Sequence, residues 1–321
     1  METSRLTMIS EVFIMRQKSL LSAGFLALFS CLLLLCIFFQ NSAAKKDSTG
    51  YTPDLSREYL VTQYPDATGV QATFYTIEND DYFLIIDGGW KENADALREV
   101  IARHGNHVDA WILSHPHKDH AGAFNEIYAN PKGITIDAIY DNGFDYDFIE
   151  SVGEPYDDIT IMENYHSLTQ QADNVTHLKR GERLTICGLT FDIYNAYDEI
   201  VLSTVGEEQD YQNNASLLFK VSSENSSMLF CSDIKYDMDP YLLETCRDML
   251  SCDYVQTGHH GNWSFSEDFY AAADAAVYFI DAPVSITENP DFPASELKQA
   301  LLAKEKTVLD FDTAPNSVTL K

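Results

Sequence analysis

The 321-residue chain is 45% hydrophobic and 22% charged, which excludes a disordered or fibrous polypeptide and leaves a globular one. Its 50 acidic against 21 basic side chains give a formal net charge of -29 at pH 7, so long nucleic acid is a poor partner for its surface. The six cysteines show no CxxC pairing, which excludes a zinc knot and a secreted disulfide scaffold. Cys31 and Cys36 lie in an apolar run; for Cys187, Cys231, Cys246 and Cys252, one disulfide (Cys246 with Cys252) or buried free thiols both fit.

Residues 20–39 are twenty apolar or small residues without a charge, long enough as a helix to cross a bilayer. Arg16 and Lys18 precede the run, as expected when the C-terminal side is exported. Residues 1–18 then read as a cytoplasmic N-terminus and 19–40 as a transmembrane signal-anchor. Ser42-Ala43-Ala44 offers the alternative of signal-peptide cleavage and secretion. Residues 41–56 are polar and contain Gly and Pro, a linker to one domain over 57–321. The expected location is a single-pass membrane protein with that domain outside the cell.

Within the domain, 71–77 and 82–87 read as a hairpin around the polar turn 78–81. Ala94, Leu97, Val100 and Ile101 give 93–104 a helical apolar face. The run 108–113, apolar apart from Asp109, predicts a strand buried on both faces. Further strands are expected at 135–140, 184–187, 189–195, 216–221, 228–231, 254–256 and 276–280. Helices are expected at 122–128, 158–171, 239–248, 266–273 and 294–303. Hairpins mixed with helices indicate two packed sheets with helices outside, an α/β or α+β domain. Tyr140, Phe144, Tyr146 and Phe148 follow one of these strands as core or lid aromatics.

Chemistry concentrates in Ser114-His115-Pro116-His117-Lys118-Asp119-His120-Ala121-Gly122, at the end of the buried strand. Three imidazoles and a carboxylate within six residues are costly to bury unless an ion coordinates them. Imidazole nitrogen with carboxylate oxygen suits zinc, manganese or iron. His115 and His117, two apart, can converge on one ion, whereas the adjacent Asp119 and His120 point differently and suit a second.

This HxHxDH after a buried strand resembles the first metal-binding signature of the metallo-β-lactamase superfamily, whose fold is an α/β sandwich of layers αββα. Asp87-Gly88-Gly89 resembles the family's early Asp, which supports the metal loop without binding metal. Cys231-Ser232-Asp233 resembles the carboxylate that bridges two ions, and His259-His260-Gly261 the last metal-binding histidine. The family's usual further histidine is expected to have no counterpart, since His166 and His177 lie in the interval but neither is read as ending a strand. Gln212-Asn213-Asn214-Ala215-Ser216 stands in its place, as in the branch containing hydrolase domains of competence DNA-uptake channels and cell-wall phosphorylcholine esterases.

The resemblance implies two divalent ions, zinc foremost and manganese as the alternative. His115, His117 and Asp233 would hold the first, completed by Asn214 or water. Asp119, His120, Asp233 and one of His259 and His260 would hold the second. Which of that pair ligates stays open; the working assignment gives His260 to metal and His259 to catalysis with Asp119. The implied activity is extracytoplasmic hydrolysis of small or cell-envelope-linked phosphoesters by a metal-bound hydroxide. Asp119 would orient the hydroxide and His259 would protonate the leaving group. An extracellular nuclease-like phosphodiesterase is the alternative, disfavoured by the absence of a Lys/Arg cluster. A non-catalytic metal-binding surface protein is the other, disfavoured by intact Asp119, His120 and Asp233.

Overall fold

Alternating and continuous apolar runs assemble into two seven-stranded sheets in the computed structural model. It describes residues 57–66, 68–152, 158–205, 210–311 and 314–321. The strands in chain order are β1 (Tyr59–Gln63), β2 (Phe74–Glu78), β3 (Phe83–Asp87), β4 (His107–Ile112), β5 (Thr135–Asp141), β6 (Val175–His177) and β7 (Arg183–Ile186). They continue with β8 (Leu189–Asn195), β9 (Leu218–Ser222), β10 (Ser227–Phe230), β11 (Tyr254–Gln256), β12 (Val277–Pro283), β13 (Thr307–Phe311) and β14 (Asn316–Leu320). The first sheet runs β14-β1-β2-β3-β4-β5-β6 and the second β13-β12-β11-β10-β9-β8-β7.

The facing surfaces form one core, in which Tyr75, Ile77, Leu84, Ile86 and Ile112 of the first sheet meet Phe191, Phe219, Phe230 and Phe279 of the second. The outer face of the first sheet is covered by α1 (Ala94–Arg103), α2 (Lys118–Ala129) and α3 (Ile159–Thr169), through Leu97, Ile101, Phe124 and Tyr165 on Trp111 and Ile85. The outer face of the second is covered by α4 (Asp239–Thr245), α5 (Glu267–Ala273) and α6 (Pro293–Ala303), through Leu242, Phe269 and Leu301. This is the expected αββα layering.

The hairpin β2–β3, the helix α1 and the buried β4 lie within a few residues of their expected places. β4 pairs in parallel with both β3 and β5, which is why its run lacks alternation. Strands β1, β6, β13 and β14 depart from the sequence expectation, because short segments such as Asn316–Leu320 carry mixed polar residues and little periodicity. His177, expected to end no strand, closes β6, where its Nδ1 lies 2.5 Å from Asp141 Oδ1 and outside the metal-donor groups. Cys187, Cys231, Cys246 and Cys252 are all free thiols, so the Cys246–Cys252 disulfide is not formed. The apolar run 20–39 lies outside the described residues; among those described, no helix is long and apolar enough to cross a membrane.

Helix α2 starts at Lys118, not near Gly122, so Asp119 and His120 occupy its first turn. Its approach to the loop after β3 requires glycine. A Cβ on Gly122 would stand 2.5 Å from the Lys91 backbone nitrogen and 2.9 Å from the Trp90 carbonyl carbon. Main chain on both sides cannot yield. Gly122→Ala should therefore cost at the upper end of about 1–3 kcal/mol. It should lower the melting temperature by about 5 °C or more and weaken metal uptake with it; an unchanged melting curve would show that the helix can back away.

Candidate metal centre

Parallel strands deliver their C-terminal ends to one rim of the sandwich, the usual place for a site in α/β sheets. Asp87 ends β3, the 114–120 loop follows β4, Asp233 follows β10, the 257–263 loop follows β11, and Asp281 lies on β12. The backbone is strained where these segments meet. Asp87, Ser232, His259, His260 and Trp263 have φ of 57°, 49°, 46°, 54° and 47°, the left-handed region that non-glycine residues avoid.

Two donor groups share Asp233. His115, His117 and Asp233 form one, and Asp119, His120, Asp233 and His260 the other, with donor atoms within 4.8 Å of one another in each. All six residues are buried. His120 Nε2 is 3.1 Å from Asp233 Oδ1, and His260 Nε2 is 3.2 Å from both Asp233 Oδ2 and Asp119 Oδ2. His115 Nε2 is 3.9 Å from Asp233 Oδ2. Nevertheless Nε2 of His115, His120 and His260, and Oδ1 of Asp233, make no aligned hydrogen bond. Buried polar atoms left so are expensive, and their convergence fits a divalent ion in each group.

The opposite ring nitrogens are pinned. His120 Nδ1 is 2.8 Å from Asp87 Oδ2, and Asp87 also accepts from the Ser114 amide and hydroxyl, each at 2.8 Å. Asp87 thus holds the loop through Ser114 and His120 and is not among the donor groups. His260 Nδ1 donates to the Asp281 carbonyl at 3.2 Å. Such partners fix which nitrogen faces an ion. Burial disfavours charge on His120, but Asp233 and Asp87 outweigh it and hold its pKa well above the usual imidazole range. His260 behaves alike through Asp233 and Asp119, and is raised to about 10. Burial, with His120 and His117 close by, pushes His115 well below that range.

The adjacent histidines separate cleanly. His260 lies among the donors, whereas His259 lines the cleft with Asn213 and Asp233. Only a protonated Nδ1 of His259 can bond the Asn262 carbonyl at 2.6 Å, which turns Nε2 towards the Asn213 amide at 3.4 Å. Burial lowers the His259 pKa, so the ring is neutral and its Nε2 accepts; the expected proton donor must first be charged. Asn214 is not turned to an ion. Its amide nitrogen donates to the Asp210 carbonyl and Asp237, and its oxygen accepts from the Lys235 amide. Asn213 is the member of that pair on the cleft wall, because the short helix Tyr211–Asn214 points the two side chains apart.

Beneath the centre lies a buried polar hub that no sequence motif marks. Asp281 accepts from Gln63 Nε2 (2.7 Å), the Tyr75 hydroxyl (2.5 Å), Thr73 Oγ1 (3.0 Å) and Gln256 Nε2 (2.9 Å). The Oε1 of Gln256 takes the Cys231 and Ser232 amides at 2.8 and 2.7 Å, in the turn that presents Asp233. One cluster therefore ties the two sheets together and props both Asp233 and His260. A lone Asp in an apolar strand leaves no trace of this in spacing.

Comparison with known proteins agrees with the geometry. Residues 67–133, which contain Asp87 and the whole His115–His120 cluster, match the Metallo-beta-lactamase superfamily. No curated protein matches the sequence. Among solved structures, the metallo-β-lactamase fold protein YhfI from Bacillus subtilis is similar at 13% identity, over 82% of this chain and 100% of its own, with a TM-score of 0.50. CmlA from Streptomyces venezuelae, a diiron β-hydroxylase, is similar at 11% identity and a TM-score of 0.50, over 82% of this chain and 54% of its own. At such identities the shared property is the fold. The superfamily match lies in the segment that carries the metal-binding signature.

Proposed function

We propose that this metallo-β-lactamase superfamily domain is a metal-dependent hydrolase of phosphoester bonds, acting on small or cell-envelope-linked substrates. The observation that carries the reading is the pair of donor groups sharing Asp233, with four buried donor atoms lacking hydrogen-bond partners. Two divalent ions there, zinc foremost, would supply Lewis acidity and neutralise an anionic substrate. His115 and His117 with Asp233 would hold one ion, and Asp119, His120 and His260 with Asp233 the other. Asp87 and the Asp281 carbonyl orient His120 and His260. His259 and Asn213 bound the cleft where substrate meets these groups, and Nε2 of His259 is placed to handle a proton. Lys118 lines the same cleft and supplies a cation for a phosphoryl oxygen. Residues 20–39 would hold the domain on the outer face of a membrane, or leave it secreted if cleaved.

Full-length protein loaded with zinc or manganese should carry one to two equivalents of metal by elemental analysis and hydrolyse bis(4-nitrophenyl) phosphate. Metal bound without turnover of any phosphoester would return the chain to the non-catalytic reading. Protease added to intact cells should reach residues beyond 45; protection until lysis would reverse the proposed orientation.

A further inference from the structure

The cleft extends beyond the donor groups into a cavity of about 590 Å³, whose wall includes Gln71, Asn213, Lys235, Tyr236, His259 and Trp263. A smaller one, about 170 Å³, lies against His117, Asp119 and Asp233 and shares Gln71, Asn213 and His259 with it. The larger space is far more than a phosphoryl group needs and falls in the range that holds an organic ligand.

Two of its wall residues are unusual. Trp263 is 56% exposed and Tyr236 47%, although large aromatics are costly to leave in water. Trp263 also has φ of 47°, a strained setting for an L side chain. The conformation is held from both sides. The Tyr236 amide donates to the Trp263 carbonyl at 3.2 Å, and the Asn262 side chain accepts from the Ala294 amide at 3.2 Å. The Trp263 ring stands 5.9 Å from that of His259, tilted by 42°, beside the reacting centre and not over the core. Strain that presents a bare ring at a cleft mouth serves no packing purpose.

We propose that Trp263 and Tyr236 form a stacking platform for a planar aromatic group esterified to the substrate phosphate. The proposal rests on the phosphoester reading above and names the substrate class of that site. A cationic group is the other occupant aromatics attract, but the charges point away from it. Lys235 and Asp210 on the larger wall neutralise one another at 3.1 Å, and the carboxylates of the smaller space, Asp119 and Asp233, belong to the donor groups. A π-face needs no charge partner and stacks on indole directly.

Calorimetric titration of the zinc-loaded full-length protein tests this with phosphonates, which place a single organic arm beside the anion and are not turned over. Phenylphosphonate should bind at least tenfold tighter than methylphosphonate. Trp263→Ala should shrink that ratio to within twofold while methylphosphonate affinity stays constant. Trp263→Asn, which suits a left-handed backbone, should do the same and separates loss of the ring from loss of the loop; Trp263→Phe should keep most of the preference. Equal affinities in the parent protein, or a preference that survives both ring deletions, would remove the platform and leave phosphoester hydrolysis standing. Tightest binding of 2-aminoethylphosphonate would overturn the aromatic class in favour of a cation. Failure to bind any of the three, together with no turnover of bis(4-nitrophenyl) phosphate, would remove both readings.

Discussion

Alanine at position 233 should strip the protein of at least half its bound metal and abolish measurable phosphoester hydrolysis. Asp233 belongs to both donor groups, so its loss removes one ligand from each, whereas any histidine serves only one. It also supplies the carboxylate that faces His120 at 3.1 Å and His260 at 3.2 Å. Against the effect of burial, Asp233 with Asp87 and Asp119 keeps both rings protonated in the metal-free chain, His260 up to about 10. An ion needs those nitrogens bare. Loading at pH 7 should therefore expel protons, and metal affinity should fall as pH drops. Titration in weak buffer with an indicator dye measures the release directly.

The sign for the metal-free fold runs the other way. A raised imidazole pKa stabilises the folded chain fully below the ordinary value, about 6.5, and that contribution fades as pH climbs towards the folded value of about 10 for His260. Chelated protein should thus melt lower at pH 9 than at pH 7, a difference that Asp233→Ala largely erases. Asp233→Asn keeps the volume and should show the same loss of metal. Full metal content in both variants would exclude Asp233 from the centre.

The second large effect is expected at Asp281. Alanine there leaves the Tyr75 and Thr73 hydroxyls without their acceptor and takes one acceptor each from Gln63 and Gln256, whose amides keep the Ile280 and Thr257 carbonyls. Each buried group left unpaired costs about 1–3 kcal/mol, so the two hydroxyls together with the cavity left behind should cost about 4 kcal/mol. That corresponds to a fall of about 10 °C or more in melting temperature for a domain of this size. Asp281→Asn is the finer probe. Its amide retains an acceptor for Tyr75 and Gln63 but sets an N–H against Gln256 Nε2, which favours rotation of that amide. The Cys231 and Ser232 amides would then lose their acceptor and the turn before Asp233 its anchor. Asp281→Asn should fold, with metal affinity down about 10–100-fold, as measured by competition with a chelating dye. Parent-like affinity in a folded Asp281→Asn would confine Asp281 to holding the sheets together.

Why some of this was legible in the sequence and some was not follows from how each feature is encoded. The His115–His120 cluster is contiguous and chemically costly, so it announces itself. The run 108–113 is apolar on both faces, Asp109 apart, because the strand is covered on both. Asn213 and Asn214 differ only by the phase of a four-residue helix, which spacing does not reveal. The roles of His259 and His260 depend on two successive left-handed residues, a geometry without a residue signature here. Gln256 and Asp281 act through partners as far as 218 residues away in the chain. Trp263 counts as one more aromatic until its exposure is seen.

The pairing of β1 with β14 has a kinetic side. Tyr59 lies opposite Leu320, and Thr62 bonds Ser317 across 255 residues of chain. Until β14 arrives, β1 presents a row of unsatisfied amides and carbonyls at the margin of an otherwise assembled sheet. Such distant closure raises contact order and slows the final step of folding. Refolding should accordingly pass through a species with β2–β5 protected from hydrogen exchange while the β1 amides that face β14 still exchange. That open margin is where a second unfolded chain could add its own strand, so self-association should peak during this interval and fade once the sheet is sealed.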